Sequence, residues 1–527
     1  MATHSVAVII KNPLNPAEFL LVKQTPPPKF NDSEYDSFID SDLWDLPSAK
    51  LRPLTSPPAS KAVVHVDDCE LGDFGSTQLD LSSALIQVLG QLGFDEASEV
   101  KWTFHKCVEE PEYGPGVPTK TVYIIGTLVH KHENSTEISK WMSIEMCLNM
   151  LIDVKPSEDR IGPLVNVGLL NAARESGNCK ISQTLNFQEY LPGLTLVPMG
   201  SRTAKPFHTT NLIVLVPERN RNGCADDTIA VRGEALIVDP GCKSAFYDEL
   251  REIISVLPRK LIVFVTHHHH DHVDGLSVVQ ECNPNASLLA HENTMRRIKK
   301  GDWSLDFIPV SGSEEICIGG HRLRIISAPG HTDGHLALLH VSSNSLIAGD
   351  HCVGQGSSFL DIKSGGSMAD YFQTTYKFME LSPHALIPMH GRVNMWPKHM
   401  LCGYLRNRRE RESMILKSME NGAKTLFDIV AYTYVHVDPS FWIHASSNVR
   451  LHVDHLAQHE KLPEHFSIHK FRKTCGLHFI MQWLWAYVCN TFSIKLQMLR
   501  NLFLYGAVVV VAGLAMLFTI KEARVKE

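Results

Sequence analysis

Apolar positions along the chain change rhythm several times. Residues 5–10 and 19–23 are short apolar runs that read as paired strands, and 121–129 is another strongly β-forming run. Residues 81–92 carry apolar side chains at helical spacing, and the Pro- and Ser-rich stretches 26–28 and 53–60 mark loops. From 191 to 393 the pattern shifts to short β-branched runs separated by Gly, Asp and His turns. The clearest strands are 212–216, 235–238, 261–265, 323–326, 345–348 and 385–387, with helical stretches at 247–257 and 371–381. Strands and helices in this proportion predict an α+β chain with sheets covered by helices. Further on, 405–419, 425–434 and 445–458 read as helices and 466–468 as a short β-type ending. That order suits a winged-helix fold and equally a plain helical cap.

The last change is at the C-terminal end, where Leu502 to Ile520 runs without a charge. A helix of that length is roughly 28 Å long, close to the ~30 Å hydrocarbon core of a bilayer. Lys495, Arg500, Lys521, Arg524 and Lys526 flank it, so a transmembrane helix over 502–520 is expected. Residues 476–494, rich in Trp, Phe and Tyr, read either as an interfacial helix or as the first arm of a hairpin. The N-terminal residues show neither a secretory signal nor a transit peptide and read as a first strand. The expected location is therefore intracellular, with the catalytic part facing the cytosol and the tail in a membrane.

Composition narrows the picture further. A length of 527 residues suits three or four domains, and 44% hydrophobic with 20% charged residues is ordinary for globular protein. The net charge of −7 excludes a chain-wide basic field, so any nucleic-acid surface must be local. Twelve cysteines occur without a C-x-x-C pair, which fits neither a disulfide framework nor a cysteine-ligated zinc site. Histidine stands out at 28 copies, several of them clustered beside Asp and Gly.

The densest cluster, Thr266-His267-His268-His269-His270-Asp271-His272, follows the apolar strand 261–265 directly. Side chains two apart near a strand end share a face, so His267 and His269 can approach one ion together, with Asp271 and His272 a turn further on. His268 and His270 should point away. Closing two coordination shells needs ligands from other loops, and other strands do end in them. The 323–326 strand leads to Gly330-His331 and on to His335, the 345–348 strand to Gly349-Asp350-His351, and the 385–387 strand to Met389-His390-Gly391. Asp239, in Val238-Asp239-Pro240-Gly241, is either a support for the metal loop or a simple turn residue.

Thr266 to His272 matches the T-H-x-H-x-D-H signature of the metallo-β-lactamase superfamily, which this region resembles. The resemblance implies an αββα sandwich over 191–395 holding two divalent metal ions, zinc in the first instance. It places His267, His269 and His331 on one ion, Asp271, His272 and His390 on the other, and Asp350 between them. Asp239 and His335 would support the ligands from behind. The implied chemistry is hydrolysis by hydroxide generated on the metals, with Asp271 taking or relaying the proton.

Beyond the ligands, Met368-Ala369-Asp370-Tyr371-Phe372, Leu381-Ser382-Pro383, Arg406 to Glu412 and Ala445 to Leu456 resemble the eukaryotic β-lactamase-like protein 2 group. That likeness implies a winged-helix-like portion at 396–470, ahead of a hydrophobic tail at 471–527. It also implies a metal-dependent endoribonuclease acting on single-stranded RNA. Arg392 and Arg408 are the candidate phosphate contacts, although the Arg/Glu run 406–412 also reads as a solvated helix face. A glyoxalase II-like thioesterase shares the signature and is the alternative activity. A membrane-anchored scaffold with an idle metal site is the non-enzymatic alternative.

Residues 1–190 resemble a Nudix-like α/β/α domain, through Val22-Lys23-Gln24, Leu43-Trp44-Asp45-Leu46-Pro47 and a helix closing at Gly93. A working Nudix helix holds magnesium on carboxylates, and 84–93 contains none, so this domain is expected to be catalytically dead.

Overall fold

The computed structural model describes residues 2–54, 66–67, 79–94, 100–128, 137–152, 154–171, 187–191, 193–217 and 229–489. Val6 to Ile10 are buried without alternation, because the strand Thr3–Lys11 lies inside a sheet covered on both faces. It pairs in parallel with Thr119–Leu128 and antiparallel with Glu18–Lys23 and Ser48–Leu51. On one face Leu85, Val88 and Leu89 of the helix Leu81–Leu92 pack against Val6, Val8, Ile10 and Trp102. On the other, Ala7, Ile9 and Tyr123 meet Leu46, Val165 and Leu169. The helix starts where Asp80 accepts from Ser83 N and stops at Gly93, whose φ of +74° is the left-handed C-terminal cap.

Two further sheets form the middle of the chain. One runs in the order Gln188–Leu191, Leu194–Gly200, Thr209–Leu215, Ala235–Val238, Leu261–Phe264, Ser287–Ala290 and Phe307–Pro309. The other runs Ile229–Gly233, Glu315–Ile318, His321–Ser327, Leu336–His340, Ser345–Gly349 and Ala385–Pro388. Their inner faces share one core, in which Ile213, Leu236, Ile262 and Leu289 meet Ile316, Leu323, Leu338 and Ile387. Helices Tyr247–Ser255 and Leu276–Cys282 cover the outer face of the first of these sheets through Leu250, Ile253, Leu276 and Val279. The strands 235–238, 261–264, 345–349 and 385–388 run in parallel pairs, so the loops at their C-terminal ends gather at one edge of the sandwich.

Chain contacts divide the protein into compact units at 1–407 and 408–527. The first unit takes in both the N-terminal sheet and the sandwich. Arg160, 2% exposed, ties them together by donating to Ser41 O and His384 O at 3.2 Å and to Met395 O, with its guanidinium over the Trp396 ring.

The described part of the second unit is helical. Besides the residues from 408 onward of Pro397–Glu420, it contains Leu426–Thr433, Trp442–Gln458, Ile468–Lys473 and helical residues 477–489. Ile415, Met419, Ile429, Val430, Val449, Val453 and Phe471 form its core. The β-type ending expected at 466–468 is not a strand. Phe466 packs into this core, and Ser467 accepts from Lys470 N to start the helix Ile468–Lys473. The described residues of this unit therefore supply no wing. No described helix is long and apolar enough to cross a membrane, and the run 502–520 lies outside the described residues.

Candidate metal centre

The loop after Leu261–Phe264 is held by its neighbour strand. Asp239, fully buried, accepts from Thr266 N at 2.7 Å, Thr266 Oγ1 at 2.6 Å and His272 Nδ1 at 2.8 Å. Its φ of +50° is a conformation Asp tolerates better than most residues, and it turns the carboxylate back onto the loop. Gly241 completes the turn, since a Cβ there would lie 2.0 Å from Asp271 O. His269 then opens the short helix His270–Val273, which carries Asp271 and His272 on its first turn.

Three imidazoles converge. His267 Nε2 and His269 Nδ1 are 2.9 Å apart, and His331 Nε2 is 3.1 Å from each. The remaining ring nitrogen of each is occupied: His267 Nδ1 by Thr266 Oγ1 at 3.0 Å, His269 Nε2 by Asp361 Oδ2 at 3.3 Å, and His331 Nδ1 by Phe359 O at 2.5 Å. These outer partners fix which nitrogen points inward. A second trio stands alongside. Asp271 Oδ2 is 3.4 Å from His390 Nε2, and Asp271 Oδ1 is 3.8 Å from His272 Nε2. Here the outer nitrogens bond Asp239 Oδ2 and, at 2.9 Å, Thr209 O. Asp350 faces both sets: Oδ1 lies 3.5 Å from His272 Nε2 and 3.3 Å from His390 Nε2, while Oδ2 lies 4.0 Å from His267 Nε2 and 3.9 Å from His331 Nε2.

This donor set fits two divalent cations. His272 Nε2, His390 Nε2 and Asp350 Oδ1 are buried and have no hydrogen-bond partner, a costly arrangement unless something positive sits among them. Burial, reinforced by the neighbouring histidines, holds His267 far below the usual imidazole range and His331 at about 3, so their lone pairs are free. Burial works the same way on His272 and His390, but the Asp350 and Asp271 carboxylates outweigh it, raising His272 well above its usual range and His390 to about 10. Those protons occupy the region of negative potential that a cation would take.

The other residues singled out from sequence take supporting or unrelated places. His335 bonds Ala328 O through Nδ1 and accepts from Asp350 N through Nε2, both at 3.0 Å, which orients the residue whose carboxylate faces both trios. His351 is buried against Thr375 Oγ1 and stacked on Tyr371. His268 bonds Ser364 Oγ and His270 pairs with Asp274, so neither belongs to the two trios. Arg392 and Arg408 do not present themselves as substrate contacts. Arg392 is committed to Glu110 Oε1 at 2.7 Å and Val117 O at 2.8 Å, and Arg408 is 3% exposed inside the helical unit. Asp361 was not foreseen. It links His269 to Ser364 and Lys363 N from a loop with no strand-end signature.

Residues 228–390 match the family described as the Metallo-beta-lactamase superfamily. The chain thus carries a metallo-beta-lactamase superfamily domain, the fold of a metal-dependent hydrolase. Within that class it is similar to curated β-lactamase-like protein 2 homologs. It is 26% identical over 214 residues to the Beta-lactamase-like protein 2 homolog of Drosophila melanogaster, covering 38% of this chain and 69% of that protein. It is also 29% identical over 169 residues to the Hydroxyacylglutathione hydrolase of Gloeobacter violaceus, covering 31% of this chain and 58% of that one. A crystal structure of a metallo-beta-lactamase family protein from Thermus thermophilus aligns at 18% identity over 52% of this chain and 95% of its own, with a TM-score of 0.42.

Proposed function

We propose that the chain is a metal-dependent phosphodiesterase, an endoribonuclease acting on single-stranded RNA. It would use two zinc ions held by His267, His269 and His331 on one side and by Asp271, His272 and His390 on the other. The observation that carries the hydrolytic part is the Asp350 carboxylate, whose two oxygens each face one trio. Two such ions would supply Lewis acidity, lowering the pKa of bound water from about 15.7 towards 7 and polarising the bond to be cleaved. The chain's own residues do the positioning. Asp239, Thr209 O and Asp361 orient the ligand rings, and His335 orients Asp350. The site opens on the side of His269 and Asp271, whose side chains are 25% and 14% exposed, so Asp271 is placed to receive a proton from an entering nucleophile.

The choice of RNA is supported by the kinship with the β-lactamase-like protein 2 group. With Arg392 and Arg408 committed elsewhere, neutralising the phosphate falls to the metals. A thioesterase of the glyoxalase II kind is the second reading, favoured by the similarity to a hydroxyacylglutathione hydrolase. The scaffold reading presupposes lost ligands, yet the sequence keeps all seven candidate residues. The N-terminal sheet serves as a Nudix-like module for binding rather than catalysis, because its helix Leu81–Leu92 offers no carboxylate. The uncharged run 502–520 anchors the chain in an intracellular membrane with the catalytic part on the cytosolic side.

The test is hydrolysis by the metal-loaded full chain of labelled single-stranded RNA, run beside a glutathione thioester. RNA cleavage that chelation abolishes and Asp271→Asn strongly reduces supports the proposal. Thioester turnover without RNA cleavage replaces it by the second reading. For the anchor, alkaline extraction must leave the chain with the membranes.

A further inference from the structure

We infer that helical residues 477–489 lie in the lipid–water interface of a membrane, with one apolar face against the lipid. This rests on the reading of 502–520 as a membrane segment and adds a second contact to it.

The helix is apolar on two sides, and the described residues of its own unit cover only one. Phe479 is 3% exposed and Trp483 packs beside it, its indole N–H donating to Pro439 O at 2.7 Å. The opposite face is bare: Leu477 is 73% exposed, Ile480 49%, Met481 60%, Leu484 46%, Trp485 74% and Val488 48%. Those positions fall at i, i+3, i+4, i+7, i+8 and i+11, the spacing of a single helical stripe, and 477–489 contains no Asp, Glu, Lys or Arg. A contiguous apolar stripe of this kind on a folded unit marks a surface that something covers.

Three features select lipid as that cover. Only twelve residues separate 489 from the uncharged run that starts at Leu502, so a bilayer entered by that run is within about 45 Å of the helix even with the linker fully extended. The stripe carries Trp485 at its most exposed point, and such an amphipathic ring favours the headgroup level. The preceding helix Ile468–Lys473 ends in Lys470, Arg472 and Lys473, all exposed, which suits anionic headgroups. Arg472 also pairs with Asp454, leaving the two lysines as the main contribution.

The experiment uses the full chain reconstituted into phosphatidylcholine–phosphatidylserine vesicles whose acyl chains are brominated near the headgroup end. The emission of Trp485 is taken as the difference between the unaltered chain and Trp485→Phe. Trp485 is exposed, so the exchange spares the core, and Leu477→Trp in the Trp485→Phe background reads the same face two turns away. The expected result is a blue-shifted difference spectrum that loses most of its intensity to the brominated lipid and resists aqueous iodide. If the chain floats with the vesicles but iodide still quenches Trp485, this inference falls while the anchor stands. Protection from iodide without dimming by the brominated lipid overturns it in favour of a protein cover, either a second copy or the chain's own tail. A chain that does not float at all overturns the anchor and the interface together.

Discussion

Replacing Asp239 by Asn isolates the outer partner on which the second trio depends. The carboxylate accepts three hydrogen bonds of 2.6 to 2.8 Å from Thr266 N, Thr266 Oγ1 and His272 Nδ1 in a site with no solvent exposure. An amide can keep one of them through its oxygen. Its NH2 then faces Thr266 Oγ1 and His272 Nδ1, and His272 must accept at Nδ1. Doing so moves the ring proton to Nε2, the atom aimed at Asp271 and Asp350, and removes the lone pair a metal needs. Loss of an outer partner of this kind weakens metal binding about 10- to 100-fold, or about 1.4 to 2.7 kcal/mol. The first trio keeps its own partners, so release should become biphasic. The assay is metal retention during titration with a competing chelator, with circular dichroism to show that the fold persists. A variant that is folded and holds both ions within about twofold of the unaltered affinity would refute the reasoning.

The outlying predictions probe other parts of the same unit. Gly241→Ala should leave little folded, metal-binding protein, because the new Cβ meets backbone atoms of Asp271 and His272 at 2.0 to 2.3 Å; soluble yield and bound metal per chain report it. Arg160→Ala strips one buried and two part-buried carbonyls of their donor and should lower the unfolding free energy by about 3 to 5 kcal/mol, read by denaturant titration. His384, buried beside Arg160, is held neutral down to about 4, against 6.5 for the free side chain. Between those values the unfolded chain binds a proton that the folded chain does not, so His384 costs stability as pH falls from 6.5 to 4, by about 3 kcal/mol in all. His384→Asn should flatten that part of the stability–pH curve, and an unchanged slope would contradict the assignment. Asp361→Ala should free the His269 ring and weaken binding at the first trio while leaving the second unchanged, visible as the reverse order of metal loss.

What could be read from the sequence was local. Four ligands follow the strand Leu261–Phe264 within eight residues and the other three follow separate strands by one to four, with Gly241, Gly330, Gly349 and Gly391 marking the turns, so the pattern survives without knowing how the strands associate. The outer partners divide by the same criterion. Asp239 could be picked out because it ends a strand, whereas Asp361, Thr209 O and Phe359 O act across loops far apart in the chain, and two of the three are backbone atoms that no side-chain pattern encodes. Helix boundaries behaved likewise. The helix expected from 405 begins at Pro397, because its first free N–H groups, on Lys398 and His399, are capped by Asp40 from the other end of the chain.

Charged residues misled most, and for one physical reason: an Arg reads as surface or as a ligand contact until its partners are known. Arg392, expected at the substrate, instead joins Arg160 in holding the N-terminal sheet and the sandwich in one unit, through Glu110 and carbonyls. The consequence reaches the function. A phosphodiester bound at this site would find its compensating charge in the metals, so RNA affinity should depend far more on metal occupancy than on Arg392. Arg392→Ala should therefore lower stability, through the loss of its bonds to Glu110 and Val117, more than it changes RNA binding by metal-loaded protein. A large selective loss of RNA affinity with stability intact would return Arg392 to the substrate site.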